Sequence, residues 1–151
     1  MRIAFSLIAL LASVAAVPAA ANSWRLASNG GDAPDRGRYY IDLDSVRRSG
    51  DIVDFTSMSV YEGMRKSGYN RAVVVQRGNC ATMSSQSLIY KFYVGSNLVQ
   101  TDDSGTEWSP NKEGSLAYGI LMAACAKRAY WGDPTTDPVG DSFAAFRSSH
   151  D

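Results

Sequence analysis

The first 21 residues and the two cysteines that follow them constrain this chain most. Arg2 precedes an apolar stretch, Ile3 to Val14, and three alanines stand directly before Asn22. A positive start, a short apolar segment and small residues at a cleavage position are typical of a secretory signal peptide. The apolar stretch is shorter than the roughly 20 residues of a membrane-spanning helix. We therefore predict cleavage near Ala21 and export to the periplasm or beyond, with no transmembrane segment in the mature form.

Export determines how the two cysteines are interpreted. Cys80 and Cys125 are the only cysteines, and an oxidising compartment favours their pairing in a small domain. A redox-active or nucleophilic thiol is the alternative. It is disfavoured because there is no Cys-x-x-Cys spacing and no histidine near either cysteine in sequence. We predict a structural disulfide that fastens a helix onto the sheet it covers.

Length and charge set the domain organisation. Removing the predicted signal peptide, residues 1–21, leaves 130 residues, enough for one domain with its own core. Without Arg2 the chain carries 14 basic and 15 acidic residues, so no broad electrostatic attraction to nucleic acid is expected. We predict one domain over residues 22–131. Residues 132–151 are predicted to form a flexible tail, in which Phe143 and Phe146 could anchor a short turn.

Several β-type segments precede one helical segment. Alternation and β-branched residues predict strands at 23–27, 39–42, 52–62, 71–77, 86–94 and 98–101. In the third of these, Val53 and Phe55 alternate with Asp54 and Met58, which predicts a sheet with one wetter side. One helix is predicted from about Ser115 to Tyr130. Many strands followed by one helix indicate an α+β fold.

No catalytic, cofactor or metal site is predicted. The only histidine, His150, stands near the end of the chain, so the usual general base of a hydrolase is missing. Nucleotide-binding and nucleophile-elbow motifs do not occur. Asp42 and Asp44 could present two carboxylates on one face, as in a glycosidase or a calcium site. A turn at Asp44 and solvent exposure of Asp42 explain them better, and we expect a non-enzymatic protein without cofactor.

Grouped arginines are candidate contacts for a partner. Arg36 with Arg38, and Arg47 with Arg48, fall in predicted loops or turns, where charged side chains are usually only hydrated. Arginine can also bind a carboxylate or sulfate through two parallel hydrogen bonds, and Tyr40 would strengthen the first pair. The candidate partner-binding residues are therefore Arg36, Arg38, Tyr40, Arg47 and Arg48, with simple hydration as the alternative.

A series of short motifs resembles the surface-adhesin protein E family over roughly residues 23 to 130. The motifs are Trp24-Arg25-Leu26, Tyr39-Tyr40-Ile41-Asp42-Leu43-Asp44-Ser45-Val46, Asn79-Cys80, Trp108-Ser109-Pro110 and a late helix that ends in Cys125. The resemblance implies an antiparallel sheet of about six strands, with a C-terminal helix disulfide-linked to its concave face. It also implies an extracytoplasmic bacterial protein.

The resemblance implies a function as well. The family's named member is an outer-membrane lipoprotein that binds host matrix and plasma proteins, whereas no cysteine for lipid attachment follows the apolar stretch of this chain. We predict an exported binding module for a protein or an envelope or matrix component. The alternative is a periplasmic small-ligand or housekeeping protein, with Tyr90, Trp108 and Tyr118 lining a groove beside the helix. An open sheet edge could also pair two copies into a homodimer.

Overall fold

An antiparallel sheet forms the centre of the domain. The computed structural model describes residues 22–149. Its strands are β1 (Trp24–Gly30), β2 (Gly37–Ser49), β3 (Ile52–Tyr61), β4 (Arg71–Asn79), β5 (Ser84–Val94), β6 (Asn97–Asp102), β7 (Ser109–Pro110) and β8 (Trp131–Thr135). Seven lie in the order β6-β5-β4-β3-β2-β1-β8, and β7 pairs with β5. The helices are α1 (Leu116–Ala124) and α2 (Pro138–Ser148).

The predicted α+β fold and the disulfide are confirmed, but the number of elements is not. Residues 22–149 contain eight strands and two helices, where about six strands and one helix were expected. The described part of the predicted tail, residues 132–149, contains most of β8 and the whole of α2. Asp137 caps α2 by accepting a hydrogen bond from the Gly140 amide at 2.9 Å, and Pro138 occupies the first turn. Both are favourable helix-start residues, and they specify a helix in a polar segment.

Helix α1 is shorter than predicted, because it ends in a Schellman motif. Ser115 caps its start by accepting from the Tyr118 amide at 3.2 Å. At its end the amides of Ala126 and Lys127 donate to the carbonyls of Ala123 and Met122, and Ala126 has a left-handed φ of 52°. Glycine usually occupies that left-handed position. Because alanine does not indicate the end of a helix, the sequence predicts a helix that extends to residue 130.

The Cys80–Cys125 disulfide joins the end of β4 to the end of α1. Its Cα atoms are 5.6 Å apart. Close packing accompanies it, since a Cβ placed on Gly78 in β4 would lie 2.3 Å from Cδ1 of Leu121. Leu121 is almost fully buried, at 1% exposure. The bridge therefore fastens α1 where helix and sheet already approach each other closely.

Each face of the sheet carries its own core. On one, the α1 face, buried side chains of the sheet pack with α1: Ala27, Ile41, Val53 and Phe55 with Ile120, Leu121, Ala123, Ala124 and Cys125. On the other, the α2 face, the cluster comprises Trp24, Leu26, Tyr40, Met58, Val60 and Phe146. The expectation of one wetter side is therefore wrong over this part of the sheet. Met58 is buried because α2 covers it.

Candidate functional site

The five residues predicted to contact a partner lie in two separate places. Arg36, Arg38 and Tyr40 line cavities beside α2, whereas Arg47 and Arg48 occupy the far end of β2. Their roles in binding stay predictions. The guanidinium of Arg47 donates to the Val46 carbonyl, and that of Arg48 donates to the Ala124 carbonyl at the end of α1. Positive charge is favourable at a helix C-terminus, so Arg48 has a structural role there.

Arg36 forms an ion pair that also holds α2. Its Nε and Nη2 donate to the two carboxylate oxygens of Glu62 at 2.8 and 2.7 Å. Nη2 also donates to the Phe146 carbonyl at 3.3 Å, and the guanidinium lies 5.8 Å from the Phe146 ring centroid. The hydrogen bond to Glu62 raises the pKa of Arg36. Its charge is balanced by a neighbouring carboxylate.

Arg38 is held by a chain of hydrogen bonds that we call the Arg38 relay. Nε of Arg38 donates to the Tyr40 hydroxyl at 3.0 Å, which lies 2.9 Å from Oγ of Ser142. Ser142 donates to the Pro138 carbonyl at 2.6 Å. Its proton is thereby used, so the Tyr40 hydroxyl donates to Ser142. Tyr40 and Ser142 are 2% and 0% exposed, and α2 therefore orients a guanidinium that lies nearer the surface.

Two cavities adjoin α2, and Arg38 lines both of them. The smaller, of about 290 Å³, is lined by residues that include Gly30, Arg36, Arg38, Phe146 and Ser149. The larger, of about 610 Å³, is lined by residues that include Leu26, Arg38, Tyr40, Trp131, Asp133 and Asp141. We call the two together the α2 groove. The volume of the larger cavity is typical of small-ligand sites.

The two arginines of the α2 groove differ in whether they form an ion pair. The ion pairs formed among residues 22–149 involve Arg36, Arg65 and Arg77, and not Arg38. Asp133 and Asp141 line the larger cavity and are exposed. The indole of Trp131, 40% exposed, is stacked with the Arg128 guanidinium 4.7 Å from a ring centroid. Among residues 22–149, the groove thus offers a cation without a carboxylate partner, an aromatic wall and an acidic rim.

Asp42 and Asp44 hold the backbone rather than form an open carboxylate site. Asp42 accepts from the Asn22 side chain at 2.8 Å and from the Asp44 amide at 3.0 Å. Asp44 accepts from the Ser23 amide at 3.0 Å. These bonds stabilise a bulge in β2 after residue 42. The expected solvent exposure of Asp42 is wrong: the residue is buried, and burial raises the pKa of its carboxyl.

The aromatic residues suggested as pocket walls have other surroundings. Tyr90 is stacked with Phe92 at 5.8 Å between centroids, and Phe92 contacts Tyr69 at 4.7 Å. Trp108 is 43% exposed. The backbone amide of Tyr118 donates to the Ser115 hydroxyl at the start of α1. None of the three candidate walls lines the α2 groove. The cavities lie beside α2, whereas the sequence predicts a groove beside α1.

Sequence reasoning missed the contribution of residues 131–149 to this site. Trp131, Asp141, Ser142 and Phe146 all fall in the segment predicted to be a loose tail or at its border. The pair Asp137-Pro138 was the available signal, because it combines an N-cap residue with a first-turn proline.

The described residues form neither a metal-binding cluster nor a membrane-spanning helix. Over residues 22–149, no group of three or more His, Cys, Asp or Glu side chains is placed to hold a metal ion. Over the same residues, neither helix has the length and apolar character needed to cross a membrane.

Comparison with known proteins gives the family. Residues 24–126 match the model of the family described as surface-adhesin protein E. No curated protein and no solved structure matches the chain significantly. Strand β8 and helix α2, which build much of the α2 groove, lie after the matched residues. Because the match covers more than half of the 151 residues, the chain belongs to the surface-adhesin protein E family.

Proposed function

We propose that this protein is an exported, non-enzymatic binding module that contacts a protein or an envelope or matrix component. The observation that carries the proposal is the family match over residues 24–126. The disulfide agrees with export, because such bonds persist in oxidising compartments. The family assignment favours binding over catalysis.

Export and binding are tested separately. For export, the full chain is expressed with a C-terminal tag and the cell fractions are analysed by mass spectrometry. We expect a form that begins at Asn22 in the periplasm or the medium. An uncleaved chain retained in the cytoplasm would contradict export.

For binding, the oxidised protein is passed over immobilised matrix proteins, plasma proteins and isolated envelope fragments in a surface plasmon resonance experiment. Saturable, concentration-dependent binding to one of these surfaces is expected. A response no greater than that of the heat-denatured protein on every surface would contradict the proposed function.

The α2 groove favours a second candidate function, a periplasmic protein that holds a small ligand. The larger cavity, about 610 Å³, falls within the usual range for small-molecule sites. A thermal-shift screen of envelope metabolites tests this candidate. A ligand that raises the melting temperature of the wild type, but not of a Trp131→Ala variant, would support it.

A further inference from the structure

We infer that the α2 groove binds a short apolar peptide segment of a partner protein through one acidic side chain, which Arg38 holds with two hydrogen bonds. This inference rests on the proposed function and names the chemistry of its contact. The site combines Arg38 and Tyr40, which lie within the family match, with Trp131 and Ser142, which come after residue 126.

Arg36 and Arg38 differ in what their charge can do. Arg36 uses Nε and Nη2 on Glu62, and its charge is balanced. Arg38 donates only through Nε, to the uncharged hydroxyl of Tyr40, and it is absent from the ion pairs within residues 22–149. Its two Nη groups carry four further N–H donors. A carboxylate is the group whose geometry and charge match that planar fork.

The Arg38 relay orients this guanidinium in advance. A free surface arginine loses side-chain entropy when it is immobilised by a ligand. Here Nε is already bonded to Tyr40, and Tyr40 is bonded to Ser142 at 2.9 Å beneath α2. The guanidinium also lies 5.9 Å from the Tyr40 ring centroid. The fold therefore already restricts the Arg38 side chain, so less side-chain entropy is lost when a ligand binds.

The remaining surroundings select the kind of anion. Asp133 and Asp141 line the larger cavity, and their negative charges repel a phosphorylated or sulfated polymer more strongly than a ligand with one carboxylate. Leu26, Trp131 and Pro134 supply apolar surface in the same cavity. A single carboxylate with apolar neighbours satisfies both conditions. Because Arg38 lines both cavities, a segment can extend to either side of it.

The test is a titration of the isotopically labelled, oxidised protein, followed by its backbone amide resonances. The probes are the tripeptide amides acetyl-Leu-Glu-Leu and acetyl-Leu-Gln-Leu, which differ in one charge, and inorganic phosphate. We expect the Glu peptide to shift amides of β2, β8 and α2 saturably, with an affinity about tenfold above that of the Gln peptide. The inference would be overturned if the two peptides bind equally or if neither binds. It would also be overturned if an equal concentration of inorganic phosphate displaces the Glu peptide.

Variants assign the effect to Arg38. Arg38→Lys keeps the charge but loses the fork, so we expect an affinity for the Glu peptide about tenfold lower. Tyr40→Phe keeps the ring and removes the hydroxyl that holds Nε, and a smaller loss is expected. Arg77→Lys is the matched control, since Arg77 is bonded to Asp54 at 2.6 and 3.0 Å and lines neither cavity. Unchanged affinity in both groove variants would contradict the inference.

Folding and function are separated by two further measurements. The melting temperature of each variant shows whether it is folded, and Tyr40→Phe supplies the test if Arg38→Lys does not fold. Binding to the surfaces tested above is then measured for Arg38→Lys. Retained surface binding with lost tripeptide binding refutes the α2 groove as the contact while the proposed function stands. If the wild type binds none of these surfaces, the proposed function itself is refuted.

Discussion

The two helices cover opposite faces of one sheet, and they are attached by different means. α1 is fixed by the Cys80–Cys125 bridge and by close apolar packing around Gly78. α2 is fixed by Phe146, by the Arg36–Glu62 ion pair and by the Arg38 relay, and cavities adjoin it. Close packing around α1 leaves little room for a ligand, whereas polar attachment leaves space beside α2. Stability is expected to concentrate on the α1 face and recognition on the α2 face.

Removing the bridge tests the α1 side with the largest expected effect. The cysteines are separated by 45 residues in sequence, and the chain-entropy model gives a loss of about 4 kcal/mol for a loop of this size. The free energy of unfolding of a Cys80→Ala, Cys125→Ala double variant is measured by urea denaturation against the oxidised wild type. A loss smaller than that of Phe146→Ala would reverse the comparison.

Phe146→Ala tests the α2 side. The ring is 6% exposed and packs edge-on against Phe143 at 6.1 Å. Its removal leaves a cavity, and we expect a loss of about 3 kcal/mol in the free energy of unfolding. Limited proteolysis should show faster cleavage within residues 127–149, while the disulfide-linked part stays intact. Phe143→Ala, at a half-buried position, is the matched control and should cost less; equal cleavage throughout the chain would contradict separate attachment.

Gly78→Ala tests how closely α1 approaches the sheet. The new Cβ would lie 2.3 Å from Cδ1 of the buried Leu121, and overpacking of this kind costs about 2 kcal/mol. Gly30→Ala is the control, because its Cβ would meet Cδ2 of the half-buried Leu116 at 3.1 Å and that side chain can move. Equal melting temperatures for the two variants would show that α1 does not pack closely against β4 at Gly78.

Ala126→Gly should strengthen the end of α1. Ala126 has a φ of 52°, and a left-handed conformation costs a residue with a Cβ about 1 kcal/mol. Glycine removes this cost at the Schellman position, so we expect a higher melting temperature. Ala129→Gly, beyond the motif, is the control and should not stabilise. A decrease for Ala126→Gly would mean that chain flexibility in the unfolded state dominates.

The Asp54–Arg77 pair tests how little an exposed ion pair contributes. Nε and Nη2 of Arg77 donate to Asp54 at 2.6 and 3.0 Å, and these bonds lower the pKa of Asp54. Because the folded pKa is below the unfolded one, the stabilisation exists above the unfolded pKa and disappears as pH falls through the folded value. Solvent screening keeps it small. Asp54→Asn should therefore lower the melting temperature slightly near neutral pH and not at strongly acidic pH; an equal effect at both would contradict the charge argument.

The sequence predicted six of the eight strands and the bridge because their signals are local or compositional. Alternation in β3 and the β-branched run in β4 depend on nearby residues, and two cysteines after an export signal allow one pairing. The end of α1 was not predictable, because Ala126 adopts a conformation typical of glycine. The buried Asp42 accepts a hydrogen bond from Asn22, 20 residues away, and no local pattern indicates that contact.

The candidate site was predictable only in part for the same reason. Arg38 and Tyr40 are two residues apart on one strand, so their contact follows from strand geometry. The cavity around them requires β8 and α2, which lack a strong apolar pattern. Ser142 lies 102 residues from Tyr40 in sequence. A patch could be inferred from the sequence, but a groove could not.

The disulfide also decides which parts of the protein carry mechanical load. When tension is applied between the two ends of the chain, the force passes from residue 80 to residue 125 through the sulfur atoms. Strands β5 to β7 and helix α1 lie inside the bypassed segment, so pulling does not stretch them. Strand β8 and helix α2 lie in the path of the force, and we expect them to be peeled first. A pulling experiment on the oxidised protein should therefore release a contour length shorter by the bypassed segment than the reduced protein does.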